Sequence, residues 1–150
     1  MKKNLFFALA LVASAVAFTA CEKNDKNNDP QHPLQNVKFY CDYPQRGDLF
    51  WQETMFFQTG DAFEYGFIAY SNEAHTKVVE GYKETGTYEI MDDYINLHYQ
   101  KLYNLSGNST VENSSYQPRS EKVYYVLEGN TLTLTFNKGT DNEYNRVYYK

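Results

Sequence analysis

From Val37 onward, apolar and polar residues alternate with a period of two. That period marks strands with one face buried and the other wet. Val37, Phe39, Cys41 and Tyr43 share one face of the first such stretch, with Lys38 and Asp42 on the other. Residues 49–57 form an aromatic run holding Phe50, Trp51, Phe56 and Phe57, and 58–61 (Gln-Thr-Gly-Asp) form a turn. Phe63, Tyr65 and Phe67 alternate along 62–70, and Tyr88 and Ile90 pair along 86–90. After the turn at 91–93, residues 94–103 place Ile95, Leu97 and Tyr99 opposite Asn96, His98 and Gln100. Residues 121–127 carry Val123, Tyr125 and Leu127. The hairpin turn Glu128-Gly129-Asn130 leads into 131–137, the cleanest strand, with threonines against Leu132, Leu134 and Phe136. A last strand spans 144–149.

The pattern predicts about eight strands joined by short Gly, Asp and Asn turns, and so antiparallel neighbours. The β-branched and aromatic enrichment agrees. Residues 72–83 show no apolar stripe and read as a short helix or a wandering loop, and 104–120, rich in Ser and Asn, read as a long loop. The expected fold class is all-β: an antiparallel up-and-down barrel of about eight strands, whose closure removes sheet edges. A two-sheet β-sandwich is the alternative.

The chain ahead of this region has a different character. Residues 1–20 read as a lipoprotein signal peptide: Lys2 and Lys3, then an apolar run from Leu5 to Phe18 that is too short for a comfortable membrane span. The sequence Phe18-Thr19-Ala20-Cys21 resembles a bacterial lipobox, with Phe18 where Leu is usual. That resemblance implies lipidation of Cys21, anchoring to the membrane through the N-terminal lipid, and a place on the bacterial outer membrane, at the cell surface or on the periplasmic face. Residues 21–36 are polar and read as a disordered tether, leaving 37–150 as the domain. Glu22 and Asp25 resemble the export signal of Bacteroidetes surface lipoproteins, although Lys23 and Lys26 interrupt it.

The second half of the domain resembles a lipocalin-like domain of Bacteroidetes lipoproteins. The resemblance lies in Gly86-Thr-Tyr-Glu-Ile90, Asp93-Tyr-Ile-Asn-Leu97, the hairpin from Tyr125 through Gly129-Asn130 to Leu134, and Tyr144-Asn-Arg-Val-Tyr148. These are turn and core signals covering roughly residues 85–150. They imply a lipocalin-like barrel and carry no functional residue. Trp51 resembles an early-strand Trp of lipocalin-like proteins, without the usual preceding glycine pattern.

Composition narrows the chemistry. Of 150 residues, 15 are Tyr, 10 Phe and one Trp, too rich in aromatics for a disordered chain. The net charge is -5. Without residues 1–20 it is 12 basic against 19 acidic residues, or -7, which argues against a nucleic-acid partner. No H-E-x-x-H, C-x-x-C or G-x-S-x-G motif occurs. His32 falls in the tether, His75 in the ambiguous segment, and His98 on a polar strand face, so the reading is non-enzymatic, with no metal and no cofactor. Cys41 reads as a small buried strand residue. The three N-x-S/T sequences at Asn104, Asn108 and Asn113 mark a solvated segment.

Tyrosine is the informative residue. Tyr40, Tyr70, Tyr94, Tyr124 and Tyr148 fall opposite the main apolar stripes, so aromatics occupy both strand faces. An apolar ring with a polar tip suits amphipathic ligands. Trp51, Tyr65, Tyr88, Tyr99 and Tyr125 are the expected lining of a ligand cavity. The expected function is therefore a lipid-anchored envelope protein that binds a small apolar or amphipathic ligand in its barrel. The alternative is a non-catalytic interaction protein or an inhibitor of a secreted enzyme.

Overall fold

A computed structural model describes residues 32–150. The signal peptide (1–20), the lipidation site Cys21 and the tether up to residue 31 lie outside the described residues. Nine strands follow one another: β1 (Val37–Asp42), β2 (Phe50–Phe57), β3 (Ala62–Tyr70), β4 (Val78–Ile90), β5 (Tyr94–Ser106), β6 (Ser109–Glu112), β7 (Arg119–Glu128), β8 (Thr131–Phe136) and β9 (Tyr144–Tyr149). A single 3-10 turn (Thr59–Asp61) joins β2 to β3.

Each strand pairs antiparallel with its neighbour, and β9 returns to β1, so the sheet closes into an eight-stranded up-and-down barrel. The ninth strand, β6, stands outside the ring. It pairs with the upper part of β5 (Tyr103↔Glu112 to Ser106↔Ser109), while β7 takes the lower part (Tyr94↔Tyr124 to Tyr99↔Arg119). The closing seam is thin: β1 and β9 share the single ladder pair Tyr40↔Tyr149, against six pairs for β1–β2.

The barrel matches the architecture expected of a lipocalin-like fold, with differences in three segments. First, β4 begins at Val78 rather than near residue 86, so only 71–77 is a connection. It is held by Asn72, whose Oδ1 accepts from the Thr76 and Lys77 amides at 3.2 and 2.9 Å. Second, most of the expected 104–120 loop is strand. Gly107, at φ 55°, supplies the tight β5–β6 turn, and only 113–118 connects β6 to β7. Third, the expected tether end at residue 36 is packed. Leu34 is fully buried in the main core, and the Asn36 amide donates to the Phe57 carbonyl at 2.7 Å. Residues 32–36 thus form a strap across one end of the barrel.

The main core fills the strap end. Phe39, Phe57, Phe63, Ile95, Leu97 and Leu134 are its buried centre, with edge-to-face rings at Phe57–Tyr88 (5.2 Å) and Phe63–Tyr99 (5.0 Å). Tyr148, expected on the opposite face, belongs to this interior and is 1% exposed. Tyr149 and Val147 face out instead. The one-residue misreading arose because Arg146 also points inward. Tyr70 does face outward, yet it is covered: His75 lies 4.9 Å from it, and Ile68 and Leu105 complete a small outer cluster. Cys41 is a free, half-buried thiol packed against the core.

Gly86 sits at a bulge where the β4–β5 register shifts. A Cβ there would overlap the His98 carbonyl oxygen and press on the Phe63 ring. The closeness of β4 to β5 therefore requires glycine. Gly86→Ala is expected to destabilise the fold by about 2–3 kcal/mol, and Leu34→Ala by about 3 kcal/mol. Equilibrium denaturation measures both. An unchanged midpoint for Leu34→Ala would return residues 32–36 to the tether.

Candidate ligand-binding lumen

Above the apolar core, the other half of the barrel interior is an open cavity of about 550 Å³. That is within the usual size of small-molecule sites, roughly 300–1,000 Å³. Its wall comes from β2, β3, β4, β5, β7, β8 and β9 and from the β1–β2 connection. Trp51 and Phe67 stack at 4.8 Å, and Tyr43 meets Phe67 edge-on at 5.7 Å. Charge lies between the rings: Arg46, Arg119 and Arg146 against Glu53, Glu84 and Glu121.

Two of these carboxylates are deeply buried, Glu53 at 5% and Glu84 at 4% exposure. An ion in such a place costs several kcal/mol unless it is paired and hydrogen-bonded. Both are. The Tyr65 hydroxyl donates to Glu53 Oε1 at 2.9 Å and the Tyr148 hydroxyl to Oε2 at 3.2 Å, with Arg146 Nε 3.5 Å away. The Tyr116 hydroxyl donates to Glu84 Oε1 at 2.7 Å, and Arg119 Nη2 donates to Oε2 at 2.9 Å. Arg119 also reaches Glu121 through Nη1 at 3.3 Å and lies over the Tyr99 ring at 3.6 Å. Among the described residues no buried side-chain nitrogen or oxygen lacks a partner.

The tyrosines are fixed as donors. Burial, then the charge of Glu53, raises the Tyr65 and Tyr148 hydroxyls far above their ordinary value near 10. Burial and the bond to Glu84 push Tyr116 up to about 12. All three keep their protons at neutral pH and cannot add negative charge beside the glutamates.

Of the expected lining residues, Trp51, Tyr65 and Tyr99 meet in this cavity. Tyr88 and Tyr125 do not: they border a smaller recess of about 460 Å³ at the strap end. Glu53, Glu84, Glu121, Arg119 and Arg146 escaped the sequence reading. Their signal was a charged residue in phase with inward aromatics: Glu53 lies between Trp51 and Met55, and Arg146 between Tyr144 and Tyr148.

At the strap end the hydrogen bonds define a chain. The Leu34 amide donates to His32 Nδ1 at 3.3 Å, so the proton of the neutral ring resides on Nε2, 3.3 Å from the Tyr125 oxygen. The Tyr125 hydroxyl donates to the Met91 carbonyl at 3.4 Å, and Tyr88 donates to the Gln58 carbonyl at 2.9 Å. Tyr88 and Tyr125 therefore tie the strap and turns together. Burial lowers the His32 pKa from its ordinary 6.5. Among the described residues no cluster of three or more His, Cys, Asp or Glu could hold a metal ion.

No family model matches this chain, and neither a curated protein nor a solved structure matches it. What the lumen can do is set by its own groups: it offers flat aromatic walls with fixed hydrogen-bond donors and charges to a ligand entering from water.

Two outcomes test this description. Glu53→Ala strands two tyrosine hydroxyls and Arg146, and is expected to lose about 3 kcal/mol in denaturation, whereas Glu53→Gln, which keeps an acceptor oxygen, loses less. The second concerns pH. His32 has a lowered pKa in the fold, so the folded state binds fewer protons there. Its contribution is complete above about 6.5 and falls as pH drops through that value. Protonation at Nδ1 also removes the acceptor for the Leu34 amide. Hydrogen exchange of the Leu34 amide should quicken between pH 7.5 and 5.5 beyond its intrinsic change, and His32→Gln should remove that extra dependence.

Proposed function

We propose that this protein is a non-catalytic cell-envelope binding protein whose barrel lumen takes up a small amphipathic ligand. The observation that carries this reading is the water-accessible cavity of about 550 Å³, half wall of rings and half network of fixed polar groups. A barrel meant only as a scaffold would be filled by side chains throughout, as the strap end is. The lipocalin-like resemblance of residues 85–150 supports the same reading. The signal-like Met1–Phe18 stretch and the lipobox-like Phe18–Cys21 support lipid anchoring at the outer membrane.

One observation favours a second reading, that of an interaction protein. On the outer wall, Val126 pairs across Thr133 to Val147, next to the row that ends in Tyr149. Val126 and Tyr149 are 55% and 57% exposed. Exposed apolar side chains on one face suit a protein contact. The expected 104–120 loop gives this reading less support, because its Tyr116 is spent on Glu84 inside the barrel.

The single tryptophan, Trp51, lines the lumen and reports its occupancy. Titration with naphthalene-based amphiphiles should change Trp51 fluorescence saturably, and native mass spectrometry should show one-to-one adducts. No saturable change and no adduct with any of them would sink the lumen as a binding site. Labelled palmitate fed to expressing bacteria should be incorporated into the wild type and not into Cys21→Ser.

A further inference from the structure

The polar groups of the lumen are unequally satisfied. Both oxygens of Glu53 and both of Glu84 are taken by tyrosine and arginine donors. Glu121 has one oxygen engaged, by Arg119 and Tyr99. Arg119 is spent as well: one terminal nitrogen serves Glu84, the other Glu121, and its face lies on Tyr99.

The other two arginines differ. Arg146 approaches Glu53 through Nε, at 3.5 Å, and its terminal nitrogens have no acceptor among the described residues. Its guanidinium sits 5.6 Å from the Tyr43 ring and 5.5 Å from the Tyr144 ring. Arg46, in the turn pinned by the Arg46↔Leu49 bridge, lines the same cavity, and its side chain has no carboxylate partner among the described residues. Strands β9 and β1 are neighbours at the seam, so Arg146, Tyr43 and the turn bearing Arg46 form one wall. That wall is rich in unused donors. The opposite wall, on β4 and β7, has its acceptors nearly exhausted.

We infer that the ligand is a ring-bearing amphiphile with a single oxyanion, which Arg146 and Arg46 take at the mouth while its apolar body lies against Trp51 and Phe67. The inference rests on the lumen being the binding site. A guanidinium with free terminal nitrogens matches a carboxylate or sulfonate through two parallel hydrogen bonds. A cationic ligand would need an acceptor: the two buried carboxylates are already engaged, and the Glu121 oxygen that remains belongs to a carboxylate already paired with the Arg119 charge. A neutral ligand would leave the donor wall to water. The stacked pair Trp51–Phe67 presents a flat surface beside that wall, which favours a ring over a flexible chain.

Four matched probes carry the test: naphthalene-2-carboxylate, naphthalene-2-sulfonate, naphthalene-2-methanol and naphthalen-2-ylmethylammonium, titrated into the full chain by Trp51 fluorescence and calorimetry. At least one anion should bind about tenfold or more tighter than the alcohol, with the cation weakest. The carboxylate-to-sulfonate ratio tells which oxyanion the wall prefers. Arg46→Gln should weaken that anion about tenfold and leave the alcohol within about twofold. Arg146→Gln should do the same. If thermal melting shows that Arg146→Gln does not fold, Arg46→Gln decides alone, because that side chain is exposed and has no carboxylate partner among the described residues. Lys122→Gln, on the outer wall over Tyr94, should change neither affinity. Equal binding of alcohol and anions, tighter binding of the cation, or anion affinity unmoved by Arg46→Gln would overturn the oxyanion assignment while leaving the lumen a binding site. Failure of all four probes would instead remove the binding reading itself.

Discussion

Two carboxylates held inside a β-barrel set the terms for this structure. Glu53 and Glu84 are almost fully withdrawn from water; two tyrosine hydroxyls and an arginine match the first, one tyrosine hydroxyl and an arginine the second. Charged groups in that position commit the neighbouring strands to polar inward residues. Tyr65, Tyr116 and Tyr148 must present their hydroxyls, and Arg119 and Arg146 must reach across the interior. The space these groups frame cannot collapse into an apolar core without stranding them. The cavity is thus a consequence of the network, and the network is the reason that half of the barrel stays open.

The other half obeys the opposite rule. Below the glutamates the interior is phenylalanine, leucine and isoleucine, closed by Leu34 and the strap. One barrel thus carries two kinds of interior along its axis: a packed apolar plug that supplies stability and a polar, aromatic chamber open to water. The division explains why tyrosine is so abundant. Its ring serves the wall and its hydroxyl serves the buried charge, a pairing that neither phenylalanine nor serine provides.

The same division decided what the sequence could reveal. In β8 the threonine and leucine alternation lies over the apolar plug, and the strand was legible to within a residue or so of its ends. The lower half of β5, with Ile95, Leu97 and Tyr99, was equally plain. Where a strand runs past the chamber the signal fails. Tyr82 and Glu84 face inward in β4 while Lys83 and Thr85 face the other way, so no polarity contrast marks residues 78–85 as a strand. The inward Arg119 and Glu121 hid the start of β7 for the same reason, and Arg146 inverted the reading of Tyr148. Trp51, Tyr65 and Tyr99 line the chamber because aromatics mark an interior wherever it lies. Tyr88 and Tyr125 border the strap-end recess instead, because an alternation pattern gives the face of a strand and not the height along the barrel axis.

The thin seam has a mechanical consequence. A closed barrel resists expansion through the hydrogen bonds around its circumference, and its hoop strength is that of its weakest joint. Here seven joints are ladders of five or more pairs and one is the lone Tyr40↔Tyr149 pair. Compliance is therefore concentrated between β1 and β9, next to Tyr43 and Arg146, rather than shared around the ring. A guest too broad for the resting chamber would widen it there first, against the least tightly bound part of the wall.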